Sequence, residues 1–344
     1  MGKIFNKLFL RKQTSSPLAS EDKDFCMGCG AEITLPAEAL AVIECTKCGK
    51  IALRECILND FVVVDFVGYG GSGAVYLAET VLMPDDVFAV KVVDKEKNPI
   101  AVEELEYEAE IALLFNEHSH SYTVVEYDHA DKYAYLVSYY ERGGDVESYV
   151  KKNGPFDVSE GLSITLDLID ILQAIHREGY LYRDLKPQNV LVDSNLNAKL
   201  CDYGLCAKMG NLRNGLNDED IVGSAHYVPP ERLTGEGEDV RSDMYSLGMF
   251  MYFLFSGKNF YSGVGSQEIA QKHVENNVAS SLSERMKDVD PKLVSLIERL
   301  TRKDRKERLG SLAELRSAIK LVMASGDDAI LSTQTLLMRM GRGR

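Results

Sequence analysis

The sequence predicts an α+β protein of two unequal lobes, β-rich first and helical second, preceded by a small cysteine-built module. Three observations carry this: strand-like runs crowd residues 61–138, helical spacing dominates from about residue 145, and two C-x-x-C pairs precede both. Strands followed by helices imply two lobes of different class with a cleft between them. The expected units are a basic tail and linker over 1–21, the cysteine module over 22–56, a main domain over 57–325 divided at 139/140, and a basic tail over 326–344.

At 344 residues there is room for two unequal domains, and 45% hydrophobic content allows a sizeable core. A formal charge of −14 argues against a nucleic-acid-coating protein, because binding phosphate backbones needs a basic face. Nothing approaches 18 consecutive apolar residues, and the N-terminus lacks the apolar core of a secretory signal. Seven cysteines without such a signal point to a reducing, cytoplasmic setting, where paired cysteines usually mean metal.

The first element is the tail. Its first 20 residues hold Lys3, Lys7, Arg11 and Lys12 but no acid, and on a helix Ile4, Phe5, Leu8 and Phe9 would share a face. A solubilising tail is the plain reading, with weak membrane-surface or partner contact as the alternative. Asn6 stands where a myristoylation signal wants Ser or Thr.

Next come Cys26-x-x-Cys29 and Cys45-x-x-Cys48, separated by 15 residues, each pair followed by a glycine (Gly30, Gly49) that relieves a tight turn. Disulfides or a redox C-x-x-C are the alternatives, and both need a context that the rest of the chain does not supply. The segment resembles the zinc-ribbon family over roughly 30 residues. Four thiolates leave no open position, so the implied Zn²⁺ is structural. Such a ribbon could dock a protein partner or pack on the next lobe.

A strand-like run over 61–67 leads into Gly68-Tyr-Gly70-Gly-Ser-Gly73-Ala-Val75, and alternation resumes over 74–78. Glycines let backbone N–H groups approach phosphate oxygens without Cβ obstruction. A strand after the turn, in place of a helix, speaks against a dinucleotide fold. Phe88-Ala89-Val-Lys91 forms the next strand, and helical spacing follows over 102–115, with Leu105, Ala109, Ala112 and Leu113. Strand-like runs return at 122–127 and 133–138, then helices at 162–176, 243–255 and 291–300.

The decisive stretch is Tyr182-Arg-Asp-Leu-Lys-Pro-Gln-Asn189, with Asp202-Tyr-Gly204 thirteen residues further on and Pro229-Pro-Glu231 beyond. Together with the glycine turn and Lys91, these ordered motifs resemble the eukaryotic-like Ser/Thr protein kinases over about 260 residues, in a compact form more like the bacterial members. The resemblance implies a bilobal protein kinase fold that transfers the γ-phosphate of ATP, with Mg²⁺ or Mn²⁺, to protein substrates. By it, Asp184 accepts the hydroxyl proton, Lys186 steadies the phosphoryl group, and Asn189 and Asp202 bind the metal. Lys91 holds the nucleotide phosphates, paired with Glu108; Glu104 is the reserve partner. Gly68, Gly70, Gly73, Val75 and Ala89 join the ATP set. So do hinge backbone groups around Tyr139 to Glu141, and Asp145 for the ribose. Tyr182 and Tyr203 replace the family's commoner His and Phe. Glu231 with Arg308, and Asp243, are implied structural residues, and Ser224 a site residue near Asp184 and Lys186.

Arg183 is implied to pair with a phosphorylated activation loop, yet residues 205–223 contain no Ser, Thr or Tyr. The acids Asp218, Glu219 and Asp220 are the expected substitutes, which would leave the kinase active as translated. A non-catalytic zinc-ribbon scaffold and a small-molecule kinase of related fold are the competing functions.

Overall fold

The computed structural model describes residues 24–324, apart from 27, 37, 55, 71–72, 211–224 and 264. Both tails, Ser224 and the acids at 218–220 lie outside the described residues.

Two short hairpins open the chain: β1 (Asp24–Phe25) pairs with β2 (Glu32–Ile33), and β3 (Val42–Glu44) with β4 (Ile51–Leu53). Each presents one C-x-x-C turn. Gly30 and Gly49 adopt φ values of 69° and 73°, which L side chains rarely tolerate, and their N–H groups donate to Cys26 O and Cys45 O.

β5 (Cys56–Leu58), β6 (Phe61–Tyr69), β7 (Ala74–Thr80), β8 (Phe88–Asp94), β9 (Val124–Ala130) and β10 (Tyr133–Tyr139) form one antiparallel sheet in the order β5-β6-β7-β8-β10-β9. The two-residue alternation of a strand sorts β10 cleanly. Ala134 and Leu136 face the helix α1 (Pro99–Leu114) with its Leu105, Ala109 and Ala112, whereas Tyr133, Tyr135 and Val137 face the opposite side.

That opposite side is covered by the cysteine module. Leu40 is buried against Phe61, Tyr76, Phe88 and Tyr133, while Tyr76 Oη donates to Leu40 O at 3.1 Å and Tyr133 Oη to Ala39 O at 3.0 Å. Glu38 Oε1 receives Lys97 Nζ at 2.6 Å and Lys132 Nζ at 2.9 Å, outside this apolar contact. The ribbon segment therefore packs on the small lobe.

The helical lobe follows. It comprises α2 (Val146–Asn153), α3 (Val158–Arg177), α4 (Pro230–Thr234), α5 (Val240–Ser256), α6 (Ser266–Glu275), α7 (Leu282–Arg285), α8 (Pro291–Leu300) and α9 over residues 312–324. Asp157 with Glu160 and Asp239 with Ser242 form capping boxes that start α3 and α5 and satisfy their first N–H groups. α5 is buried on nearly every side, so it forms the lobe's axis, with α3 and α8 packed on it. Two short antiparallel pairs, β11 (Tyr180–Leu181) with β14 (Ala207–Lys208) and β12 (Val190–Val192) with β13 (Ala198–Leu200), complete the lobe. Among the described residues, no helix is long and apolar enough to cross a membrane.

Candidate active site

The turn between β6 and β7 lies beside Lys91. Gly70 N–H donates to Gly73 O at 2.7 Å, and Val75 pairs across the ladder with Lys91. A Cβ on Gly73 would stand 2.6 Å from Val92 O, so this glycine is required by space, whereas one on Gly68 would meet nothing. Ala89 sits on the same strand as Lys91, opposite Leu77.

Lys91 Nζ donates to Glu108 Oε2 at 2.7 Å and lies 3.7 Å from Asp202 Oδ1. Glu108 is buried because it follows the inward stripe of α1, while Glu103, Glu104, Glu106 and Glu110 point outward; the reserve residue Glu104 is thus exposed. Tyr122 Oη donates to the other oxygen, Glu108 Oε1, at 3.3 Å. Burial alone would lower the Lys91 pKa, and the Glu108 charge more than offsets it, so the ammonium is held above its usual value. Lys91 belongs to one lobe and Asp202 to the other, so this contact bridges the cleft.

The catalytic-type loop hangs from α5. Asp243 Oδ2 accepts from Tyr182 N at 2.9 Å and His176 Nε2 at 2.8 Å, and Oδ1 accepts from Arg183 N at 2.8 Å. Arg183 and Asp202 hold φ values of 72° and 57°, a strained region for side chains of this size, and both sit at the cleft. Asp184 Oδ2 receives Lys186 Nζ at 2.7 Å and Asn189 Nδ2 at 2.7 Å, and Asn189 Nδ2 also reaches Asp184 O at 3.0 Å. The predicted trio Asp184, Lys186 and Asn189 is therefore one hydrogen-bonded cluster.

Tyr139 N–H donates to Thr123 O and Tyr140 N–H to Val87 O, so two amides of the hinge are used within the protein. The Glu141 carboxylate pairs with Lys199 Nζ at 2.5 Å. Asp145 caps α2, accepting from Ser148 N at 2.8 Å and Ser148 Oγ at 2.7 Å. Glu231 receives Arg308 through two guanidinium nitrogens at 2.7 and 2.8 Å, and burial of this pair is nearly complete.

Two features escaped the sequence reading. Tyr203 and Ser121 hydroxyls hydrogen-bond at 2.8 Å in the core, and the Tyr203 ring stacks between Phe115 and Tyr122. The extra hydroxyl of Tyr203 signalled that a partner was needed, but not which one. Arg183 pairs with Glu238, at 3.0 Å, and no motif marked that acid.

Two groups of residues could hold metals. Asp202 offers a carboxylate and Asn189, whose nitrogen is committed to Asp184, offers its carbonyl oxygen; an oxygen-only set suits a hard cation such as Mg²⁺. The four sulfurs of Cys26, Cys29, Cys45 and Cys48 lie within 4.8 Å of one another, with Cys26–Cys48 at 3.5 Å and Cys29–Cys45 at 3.8 Å. A tetrahedral zinc with Zn–S bonds of about 2.3 Å sets its sulfurs roughly 3.8 Å apart, so the cluster fits Zn²⁺. Gly28 N–H donates to Cys26 Sγ at 3.3 Å, and this backbone bond, with a second from Cys29, lowers the thiol pKa, favouring the thiolate that a metal needs.

A family model described as the protein kinase domain matches residues 61–319. The chain is 27% identical over 271 residues to a probable serine/threonine-protein kinase PknB of Lactococcus lactis, covering 78% of this chain and 43% of that protein. It is 29% identical over 262 residues to the serine/threonine-protein kinase PknB of Mycolicibacterium smegmatis, covering 74% and 41%. To the serine/threonine-protein kinase PrkC of Bacillus subtilis it is 27% identical over 267 residues, covering 77% and 40%. The alignments thus span about two fifths of the length of these relatives.

Proposed function

The chain belongs to the protein kinase family, and from that premise we propose that it is an active serine/threonine kinase, moving the γ-phosphate of Mg-ATP to protein hydroxyls. The observation that carries the proposal is Lys91, held 2.7 Å from Glu108 and 3.7 Å from Asp202 across the cleft. A lysine so fixed can hold nucleotide phosphates without first reorganising.

Asp184 then accepts the proton of the substrate hydroxyl, while Lys186, already hydrogen-bonded to that carboxylate, stays beside the transferring group. Phosphoryl transfer is chiefly positioning and charge neutralisation, which explains why these side chains are pinned by one another. Mg²⁺ bound by Asp202 and Asn189 would neutralise phosphate charge. On the nucleotide side, the Glu141 amide is the expected adenine donor, since those of Tyr139 and Tyr140 are engaged. Asp145 would meet the ribose with acceptor capacity left over from its capping bonds. Zn²⁺ on the four cysteines would be structural. The twin Glu231–Arg308 bonds anchor the start of α4, beside which peptide substrates bind in protein kinases. With no hydroxyl over 205–223, activation does not run through phosphorylation of that stretch.

The test is radiolabelled ATP with a generic basic protein and, separately, a panel of aminoglycosides and sugars. Label on protein is expected, with Asp184→Asn reducing the rate by about 10²–10⁴-fold. Label on a small molecule, or none at all, overturns the proposal.

A further inference from the structure

Arg183 immediately precedes Asp184, and its guanidinium has an anionic partner inside the large lobe. Glu238 Oε1 lies 3.1 Å from Arg183 Nε and 3.0 Å from Nη2. The second oxygen, Oε2, lies 2.8 Å from Arg232 Nε and 2.7 Å from its Nη2. Arg232 Nη1 also donates to the carbonyl of Arg183 at 2.7 Å, closing a ring of contacts around the catalytic-type loop. The side chains of Glu238 and Arg232 are each 5% exposed and that of Arg183 16%.

Glu238 lies on the short link between α4 and α5. Gly235 caps α4 in the left-handed region, Gly237 has a φ of 79°, and Arg305 Nη1 donates to Gly237 O at 2.6 Å. Asp239 then caps α5, the helix whose Asp243 holds the N–H groups of Tyr182 and Arg183. Arg183 is therefore gripped at its amide by Asp243, at its carbonyl by Arg232 and at its guanidinium by Glu238, while its backbone stays at a strained φ of 72°. A backbone held there needs its surroundings to over-determine it. Asp184 is one peptide away, so whatever fixes Arg183 also fixes the backbone from which the Asp184 carboxylate projects to Lys186 and Asn189.

We infer that Glu238 is a positioning residue: it supplies, from within the large lobe, the negative charge that Arg183 and Arg232 require. The loop bearing Asp184 is then set by an acid of the large lobe itself. This deepens the kinase reading and rests on it.

The test is steady-state kinetics of the full chain with Glu238→Gln, Glu238→Asp and Glu238→Ala. A displaced catalytic loop should lower kcat by about 10–100-fold in the Gln variant, with the KM for ATP little changed. Asp should restore part of the rate, as a shorter carboxylate. Ala opens a seat between two guanidiniums, so added sulfate should raise its kcat, but not that of wild type or of the Gln variant, whose amide fills the seat. Unchanged kcat in Glu238→Gln overturns the inference. So does a loss in Glu238→Ala that sulfate does not relieve, or activity lost on neutralising Asp218, Glu219 and Asp220 but kept in Glu238→Gln. A wild type that labels nothing rejects the kinase reading alone, and thermal melts then decide. Sulfate should raise the Tm of Glu238→Ala more than that of wild type, and an equal effect overturns the seat. Should Glu238→Ala fail to fold, the isosteric Gln variant carries the kinetic test.

Discussion

Three tyrosine hydroxyls do different work in one aromatic cluster beneath the cleft. Tyr122 reaches Glu108 at 3.3 Å, Tyr182 reaches Cys201 O at 2.5 Å, and Tyr203 meets Ser121 at 2.8 Å. Each ring is buried, so its hydroxyl oxygen must find a partner or cost free energy. Because Ser121 Oγ is also within 3.2 Å of Tyr122 O, removing the Tyr203 hydroxyl does not orphan the serine. Tyr203→Phe and Ser121→Ala are each expected to destabilise the protein by about 1 kcal/mol. The double variant should cost less than their sum, read from urea midpoints; strict additivity would show that the bond contributes nothing.

At the scale of elements, the catalytic-type loop takes its shape from one carboxylate on the first turn of α5. Burial pushes the Asp243 pKa up, but His176 and the backbone N–H groups of Arg183 and Tyr182 outweigh it, so it stays below the usual carboxylate range. Its folded value is below its unfolded value of about 3.9, so the stabilisation is present above that pH and lost as pH falls through the folded value. Glu231 behaves likewise: burial is outweighed by Arg308. Asp243→Asn should therefore lower stability at pH 7 by about 3–5 kcal/mol, as expected for breaking a buried pair. Unfolding free energy measured down through the acid range should also fall less steeply in the variant. A parallel acid limb would mean that Asp243 does not contribute this linkage.

Across the whole molecule, the cysteine module and the six-stranded sheet share one apolar cluster, to which the module contributes Leu40 in a left-handed conformation of φ 63°. That geometry costs free energy on its own, so the surrounding contacts, among them those of Tyr76 and Tyr133, must hold it. Removing the Zn²⁺ proposed for the four cysteines should consequently loosen the small lobe and not only the ribbon. A strong zinc chelator is expected to lower the Tm of the kinase domain, and Leu40→Ala to cost about 2–3 kcal/mol while leaving metal content unchanged. A kinase-domain transition indifferent to both would show the ribbon to be an independent unit.

Clusters confined to short stretches of chain are legible in the sequence. The spacing of Asp184, Lys186 and Asn189 suffices because one loop of eight residues brings them together, and the two C-x-x-C turns converge because each glycine permits its own knuckle. Glu108 was legible at one remove, through the inward stripe that α1 needs in order to pack. Only the tertiary structure decided which acid meets Arg183, which hydroxyl meets Tyr203, and that the ribbon leans on the sheet. These are contacts between residues 55, 82 and 36 positions apart, in the pairs Arg183–Glu238, Ser121–Tyr203 and Leu40–Tyr76. Local pattern states that a buried charge or hydroxyl requires a partner. Packing of distant segments selects it, because hydrogen-bond geometry in a close-packed interior is satisfied only where the chain returns.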